Sequence, residues 1–174
     1  MIQREAYWPL ENLSCSRGRV FVEVAGVACL IAAGALIRFP LPFSPVPVTL
    51  QTFGVLLAAC LVEPHRAACG AALYLALGVG GIPLFAVSSG ATFGYLAGFI
   101  FAPHILRLFK NRVLGMCWAN VVILSMGALW LSVWPGMTPY HAVMAGLLPF
   151  VPGDLIKLVA AYKVADWLAP RHSG

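Results

Sequence analysis

Residues 149–162 read PFVPGDLIKLVAAY, and in them Asp154 and Lys157 stand three positions apart among residues that are otherwise apolar or proline. On a helix, positions i and i+3 share a face, so the carboxylate and the ammonium are placed to neutralise each other. Ion pairs of this spacing belong on solvated helix faces, yet nothing around this one is solvated. The stretch therefore raises the question of what solvent the chain sits in.

Composition answers it. The 174 residues are 61% hydrophobic and only 10% charged, with a mean hydropathy of +0.89. A soluble domain carries about 25% charged residues, so this surface faces lipid. Cutting at charges and prolines gives apolar segments at Val20–Ile37, Val48–Val62, Ala67–Val79, Ala91–Leu108, Val113–Trp134 and Ala142–Leu168. A span needs roughly 20 residues to cross about 30 Å of hydrocarbon. The second and third segments fall short of that, so their ends are uncertain or their helices surround a recess.

The expected fold is an all-α integral membrane protein with six transmembrane helices and cytoplasmic N- and C-termini. Its expected organisation is a cytoplasmic N-terminal segment (1–18), a six-helix membrane substrate-binding domain (19–169) and a C-terminal tail (170–174). The distribution of cations fits this topology. Arg4, Arg17, Arg19, Arg66, Arg107, Lys110, Arg112, Lys163 and Arg171 fall on the inner side, Arg38 alone on the outer side, and Lys157 within the last span. The net charge of +5 is thus a topology signal rather than a nucleic-acid surface, since no basic stripe with interleaved aromatics accompanies it. The opening MIQREAYWPLENLSCSRGR mixes both charges and has no apolar core, so the first span is expected to remain as an uncleaved anchor.

Motifs exclude several chemistries. The five cysteines (15, 29, 60, 69 and 117) form no C-x-x-C, and Cys29, Cys60 and Cys117 read as small core hydrophobes. His65 and Cys69 have helical i,i+4 spacing, but two ligands beside Glu63 make a poor metal site. There is no nucleophile elbow, P-loop or zinc-hydrolase signature, so the chain does not use ATP by itself.

The loops carry more. Residues 38–52, RFPLPFSPVPVTLQT, hold prolines at 40, 42, 45 and 47, which impose an extended backbone. Phe39, Leu41, Phe43, Val46 and Val48 make this segment apolar where a flexible linker would be polar, so it lies over apolar surface as a plug or a lid. Residues 77–85, LGVGGIPLF, and the Pro149–Pro152 stretch also mark irregular backbone. At membrane depth such backbone survives only in protein or at a cavity. All three fall on the outer side and converge on an outward-facing pocket.

Each ionisable residue at the centre of a span costs roughly 2.5–3.5 kcal/mol to insert. Asp154 and Lys157 therefore either pin helix packing or act on a ligand. As a ligand site, Lys157 offers a point charge to a carboxylate and Asp154 accepts from N–H donors. Walls from Phe43, Tyr74, Phe85, Phe93 and Tyr95 suit an apolar body. The residues describe a small, largely apolar acid with polar N–H groups and do not name it.

Four blocks resemble the signature blocks of the BioY family: PVPVTLQTFGVLLAA (45–59), ALYLALGVGGIPLFA (72–86), GATFGYLAGF (90–99) and VPGDLIKLVAA (151–161). Members of that family are the biotin-specific S components of energy-coupling factor (ECF) vitamin transporters. The resemblance implies six membrane helices, an outward substrate pocket and a first loop that covers it. It also implies that Asp154, Lys157 and Tyr95 contact biotin. The loop AVSSGATFGY is shorter than in most members and lacks an Asn that binds the ureido ring in some, so Ser88 or Ser89 stands in for it. Leu96 follows Tyr95 where some members have Arg, which leaves Lys157 as the cation for the carboxylate. Gln51, Tyr74 and Phe43 complete the candidate substrate-binding set.

The implied partners are a membrane coupling (T) subunit and two ATP-binding subunits, with biotin as transported substrate and no cofactor. In the first span Ala28 and Ala32 are four apart, a spacing that lets membrane helices approach closely. The resemblance implies that such a face docks on the coupling subunit, although Cys29 with Ala33 makes another small pair. High-affinity biotin capture and uptake across the bacterial inner membrane is the function implied. The alternatives are an S component for another small vitamin, an intramembrane enzyme, for which Ser125 and Ser132 stand alone, or an assembly subunit that binds no small molecule.

Overall fold

The computed structural model describes residues 17–82 and 90–169, and these are mostly helical. In chain order they form α1 (Arg17–Leu36), β1 (Arg38–Phe39), β2 (Val48–Thr49), α2 (Gln51–Leu61), α3 (Pro64–Val79), a 3-10 turn (Gly90–Thr92), α4 (Phe93–Arg107), α5 (Arg112–Ser132), α6 (Pro139–Gly146) and α7 (Phe150–Leu168). Helix starts follow local chemistry. The Glu63 carboxylate caps α3 by accepting from the His65 N–H at 3.4 Å, with Pro64 in the first turn, where its missing N–H costs nothing. Asn111 accepts from Leu114 N–H at 3.2 Å to cap α5. Thr138 accepts from His141 N–H at 3.2 Å ahead of Pro139 in α6.

Helices α1 and α5 are each long and apolar enough to cross a bilayer, and α6 with α7 forms a third candidate span broken by a bend of 43°. Helices α2, α3 and α4 have 11, 16 and 15 residues. Their shortness follows from the chain. Prolines 45 and 47 and the strand β2 occupy the residues before Gln51, so α2 begins later than the apolar segment from Val48 suggests. Residues 147–149 separate α6 from α7, with Leu147 N–H and Leu148 N–H both bonded to the Val143 carbonyl at 3.1 Å. Pro149 then caps α7 and Pro152 lies in its first turn.

One core runs through all seven helices, from Val27 and Ile31 in α1 to Leu158 and Ala165 in α7. Apolar side chains such as Phe21, Leu129, Ile156 and Trp167 are nonetheless largely exposed on the outside. A water-soluble monomer rarely exposes contiguous apolar surface on this scale; this is the surface of a membrane protein. At the end of the bundle where α1 starts, the Glu23 carboxylate accepts from Arg19 at 2.8 Å and from Arg66 at 2.7 Å, clamping α1 to α3.

Helices α4 and α5 touch backbone to backbone because glycines line their contact. A Cβ on Gly98 would stand 2.8 Å from the Ile123 Cα, and one on Gly94 or Gly127 would fall within Trp130 or the Tyr95 ring. Gly98→Val therefore overpacks the interface at a cost of about 1–3 kcal/mol, read as a lowered unfolding temperature in detergent. A Cβ on Gly26 meets nothing within 4 Å, so Gly26→Ala leaves that temperature unchanged or slightly raised.

Candidate functional site

Where the backbone is irregular, a cavity opens. The segment between α1 and α2 folds back as a two-residue antiparallel ribbon that pairs Arg38 with Thr49 and Phe39 with Val48. The Leu50 N–H fastens it to α1 by bonding the carbonyls of Gly34 and Ile37 at 3.1 and 3.2 Å. Val46 is buried and Leu41 and Val48 pack against the core, so this apolar segment does lie on apolar surface. Beneath it, Val46, Pro47, Thr49, Gln51 and Thr52 line one side of the cavity. Thr92 at the end of the 3-10 turn, Tyr95, Leu96 and Phe99 of α4, Ile123 and Leu124 of α5, and Phe150, Asp154 and Lys157 of α7 line the rest.

Asp154 and Lys157 are the charged groups of this wall. They are 1% and 7% exposed, and Lys157 Nζ donates to Asp154 Oδ1 at 2.7 Å. The i,i+3 spacing on α7 thus produces the pair that the sequence called for. A third group joins them. The Asn120 amide of α5 stands near the Asp154 carboxylate and bears on it, while Asn120 Oδ1 is buried with no partner among the described residues. Since a carboxylate takes only donors, the amide NH₂ is the end that faces Asp154. Asn120 escaped the sequence reading, although a lone Asn within the apolar run 113–134 is the kind of signal that finds such a residue.

The other expected residues divide. Gln51 lines the cavity and is held at both ends, its Oε1 accepting from Thr49 Oγ1 at 2.9 Å and its Nε2 donating to Tyr74 Oη at 2.8 Å. Tyr74 is buried behind Gln51 and orients it without lining the cavity itself. Tyr95 does line the cavity, but its hydroxyl donates to the Gly146 carbonyl at the end of α6, and its ring packs on Phe150 with centroids 5.8 Å apart. Phe43, expected in the wall, is instead 61% exposed at the outside of the loop, because the prolines turn Val46 rather than Phe43 inward. Phe93 packs against Trp130 rather than lining the cavity. Ser88, Ser89 and Phe85 lie outside the described residues.

The face expected to dock a partner requires a correction. Ala28 and Ala32 are 2% and 1% exposed, inside the core that α1 shares with its neighbours. Their small size lets α1 approach within the chain. Gly26, Cys29 and Ala33 of α1 are exposed, on another face of the helix, so Cys29 is not a core hydrophobe, whereas Cys60 is. His65 meets His104 edge-on at 4.9 Å, and no three His, Cys, Asp or Glu side chains gather to hold a metal among the described residues.

The cavity measures about 40 Å³. One water molecule takes about 30 Å³ of liquid, and small-molecule pockets run from about 300 Å³ upward. A ligand of that size enters only if the wall gives way.

Comparison with known proteins places this architecture. The BioY family profile matches residues 10–172. A biotin transporter BioY of Thermotoga maritima is 33% identical over 161 residues, covering 84% of this chain and 94% of its own. A probable biotin transporter BioY of Pyrococcus horikoshii is 33% identical over 156 residues, covering 84% and 95%. The biotin transporter BioY of Rhodobacter capsulatus is 31% identical over 168 residues, covering 82% and 88%. Among solved structures, the S-component for biotin from an ECF-type ABC transporter superposes with a TM-score of 0.77 at 23% identity, covering 92% of this chain and 96% of that one. At that identity the superposition speaks to the fold.

The buried pair has a stability signature. Removing one partner of a buried ion pair costs about 3–5 kcal/mol, while replacing both by apolar groups is close to neutral. Lys157→Met is expected to lower the unfolding temperature in detergent by several degrees, and Asp154→Leu added to it restores most of the loss. Single and double variants of equal stability would show that the two side chains do not depend on each other.

Proposed function

The chain belongs to the BioY family, and from that premise we propose that it captures biotin with high affinity and carries it inward across the bacterial inner membrane as the substrate-binding subunit of an ECF transporter. The observation that carries the proposal is the Asp154–Lys157 pair, 2.7 Å apart on the wall of an otherwise largely apolar cavity. Such a pair presents an N⁺–H donor directly beside an O⁻ acceptor. A cyclic urea presents the complement, an N–H beside a C=O, and satisfies both charges at once without adding a third.

This geometry shifts one assignment. The sequence, with Leu96 where some members have Arg, leaves Lys157 as the cation for the biotin carboxylate. A carboxylate seated on Lys157 would lie within a few ångströms of Asp154, where like charges in a low dielectric oppose each other. Both side chains are therefore better used on the ureido ring, with Leu96, Phe99, Ile123 and Leu124 against the apolar body. Asn120 keeps Asp154 supplied with a donor when Lys157 turns to the ligand.

In this reading α1 to α5 make five spans and the bent α6–α7 pair the sixth. The domain runs over 19–169, both termini face the cytoplasm and the covering loop opens outward. The ion-paired end with Arg19, Glu23 and Arg66 is then cytoplasmic, as the excess of cations there requires. Energy comes from partners, a membrane T subunit and two ATP-binding subunits. The outward stripe of Gly26, Cys29 and Ala33 suits docking on the T subunit, because small residues let membrane helices meet closely.

Equilibrium binding of labelled biotin to the purified protein in detergent tests the substrate. Asp154→Asn is expected to weaken biotin and the uncharged biotin amide alike, by about tenfold to a hundredfold. No binding by the wild-type protein would overturn the assignment. Ala33→Trp is expected to abolish co-purification with the T subunit while biotin affinity stays within about twofold of wild type, as a lipid-facing substitution leaves the core intact. Retention of the partner by that variant would remove the stripe from the interface.

A further inference from the structure

With both charges of α7 engaged by the ureido ring, the acid end of the ligand needs a cation elsewhere. Among the described residues, Arg17, Arg19, Arg66, Arg107, Lys110, Arg112 and Lys163 sit at or near the helix ends away from the covering loop. Of the described arginines and lysines outside the Asp154–Lys157 pair, Arg38 is the one that remains on the loop side.

We infer that Arg38 recognises the carboxylate of the ligand at the mouth of the cavity. The inference rests on the biotin reading above and adds to it the residue that selects the acid. Three observations support it. Arg38 stands directly opposite Thr49 in the ribbon, and residues directly opposite in an antiparallel pair extend from the same face. Thr49 lines the cavity and bonds Gln51 at 2.9 Å, so Arg38 leaves the ribbon on the face that covers the site. Secondly, the strand residue opposite Arg38 leads into a polar corner: Thr49 bonds Gln51, whose amide donates to Tyr74 Oη at 2.8 Å, and the Arg38 charge is near enough to be felt at that hydroxyl.

Thirdly, Arg38 is exposed and makes no ion pair or side-chain hydrogen bond among the described residues, unlike Arg19 and Arg66 at the other end. It is available. The ribbon also lies across the start of α7, with Val48 Cγ1 4.0 Å from where a Cβ on Gly153 would be. That places the ribbon one residue before Asp154 on α7, on the side away from Lys157. A ligand with its urea on Asp154 and Lys157 thus directs its chain toward the ribbon, and a planar guanidinium takes a carboxylate there through two parallel N–H···O bonds. Leu96 leaves no basic group on the α4 wall to compete.

The test compares biotin with biotin amide on wild type, Arg38→Gln and Arg38→Lys, all in lipid-free detergent. Wild type is expected to prefer the acid. In Arg38→Gln biotin weakens about tenfold, the value of one charge-assisted hydrogen-bonded contact, while the amide binds as it does to wild type. Arg38→Lys retains part of the preference, since a point charge replaces the fork. The unchanged amide affinity shows at the same time that the variants are folded. Equal loss of both ligands would make Arg38 a support of the loop and overturn the inference. So would an acid preference that survives in Arg38→Gln, including the case where that variant changes only how the protein distributes between anionic and zwitterionic nanodiscs, which would give Arg38 to lipid headgroups. If the wild-type protein binds neither ligand, the biotin reading itself fails, and this assignment with it.

Discussion

A carboxylate and an ammonium taken out of water must be matched by each other and by every remaining hydrogen-bonding position around them, because each carries a desolvation cost of several kcal/mol. Much of this molecule can be understood as the arrangement that meets that demand for Asp154 and Lys157. The pair closes within one turn of α7, Asn120 reaches it from α5, and the break between α6 and α7 sets where α7 begins. The hydroxyl of Tyr95 holds that break by taking the Gly146 carbonyl at the end of α6. Glycines at 94, 98 and 127 in turn let α4 come close enough to α5 for Tyr95 to reach it.

The two ends of the bundle are built differently. At one end short helix connections carry the Glu23 clamp between α1 and α3 and the capped starts of α3 and α5. At the other, the chain is held by a two-residue ribbon, by apolar contacts and by a helix break. Charge-assisted bonds have narrow geometry and fix positions, whereas apolar contacts tolerate sliding. Any change of shape that admits a ligand is therefore concentrated at the end that holds the proline loop.

Much of this was legible in the sequence, and the failures have physical causes. The intramembrane pair, the apolar proline loop and the break at Pro149 followed from rules that depend on residue type alone: burial cost, fixed φ and a missing donor. Helix faces were harder. In α1 apolar residues occur all round, so periodicity does not say which side is inward, and the Ala28–Ala32 face proved to be core while Cys29 and Ala33 look outward. Phe43 failed for a related reason, since the proline-rich segment has no repeating face from which to predict direction. Helix lengths were blurred because Val48 and Thr49 are as apolar or neutral as the helix they precede, and only pairing with Arg38 and Phe39 makes them strand. Asn120 was visible as a residue; its meaning arises from a neighbour 34 positions later in the chain.

The ribbon over the cavity joins two residues to two. Hairpins much longer than this are only marginally stable alone in water, so its closed position is lent to it by the surface underneath. An occupant of the cavity becomes part of that surface. How quickly the site fills then depends on how often the empty protein uncovers itself, and how long the site stays filled depends on what the occupant adds to the cover's seat. Arrival and residence are thereby set by separate contacts, so the lifetime of the bound state is free to evolve without altering the rate of capture.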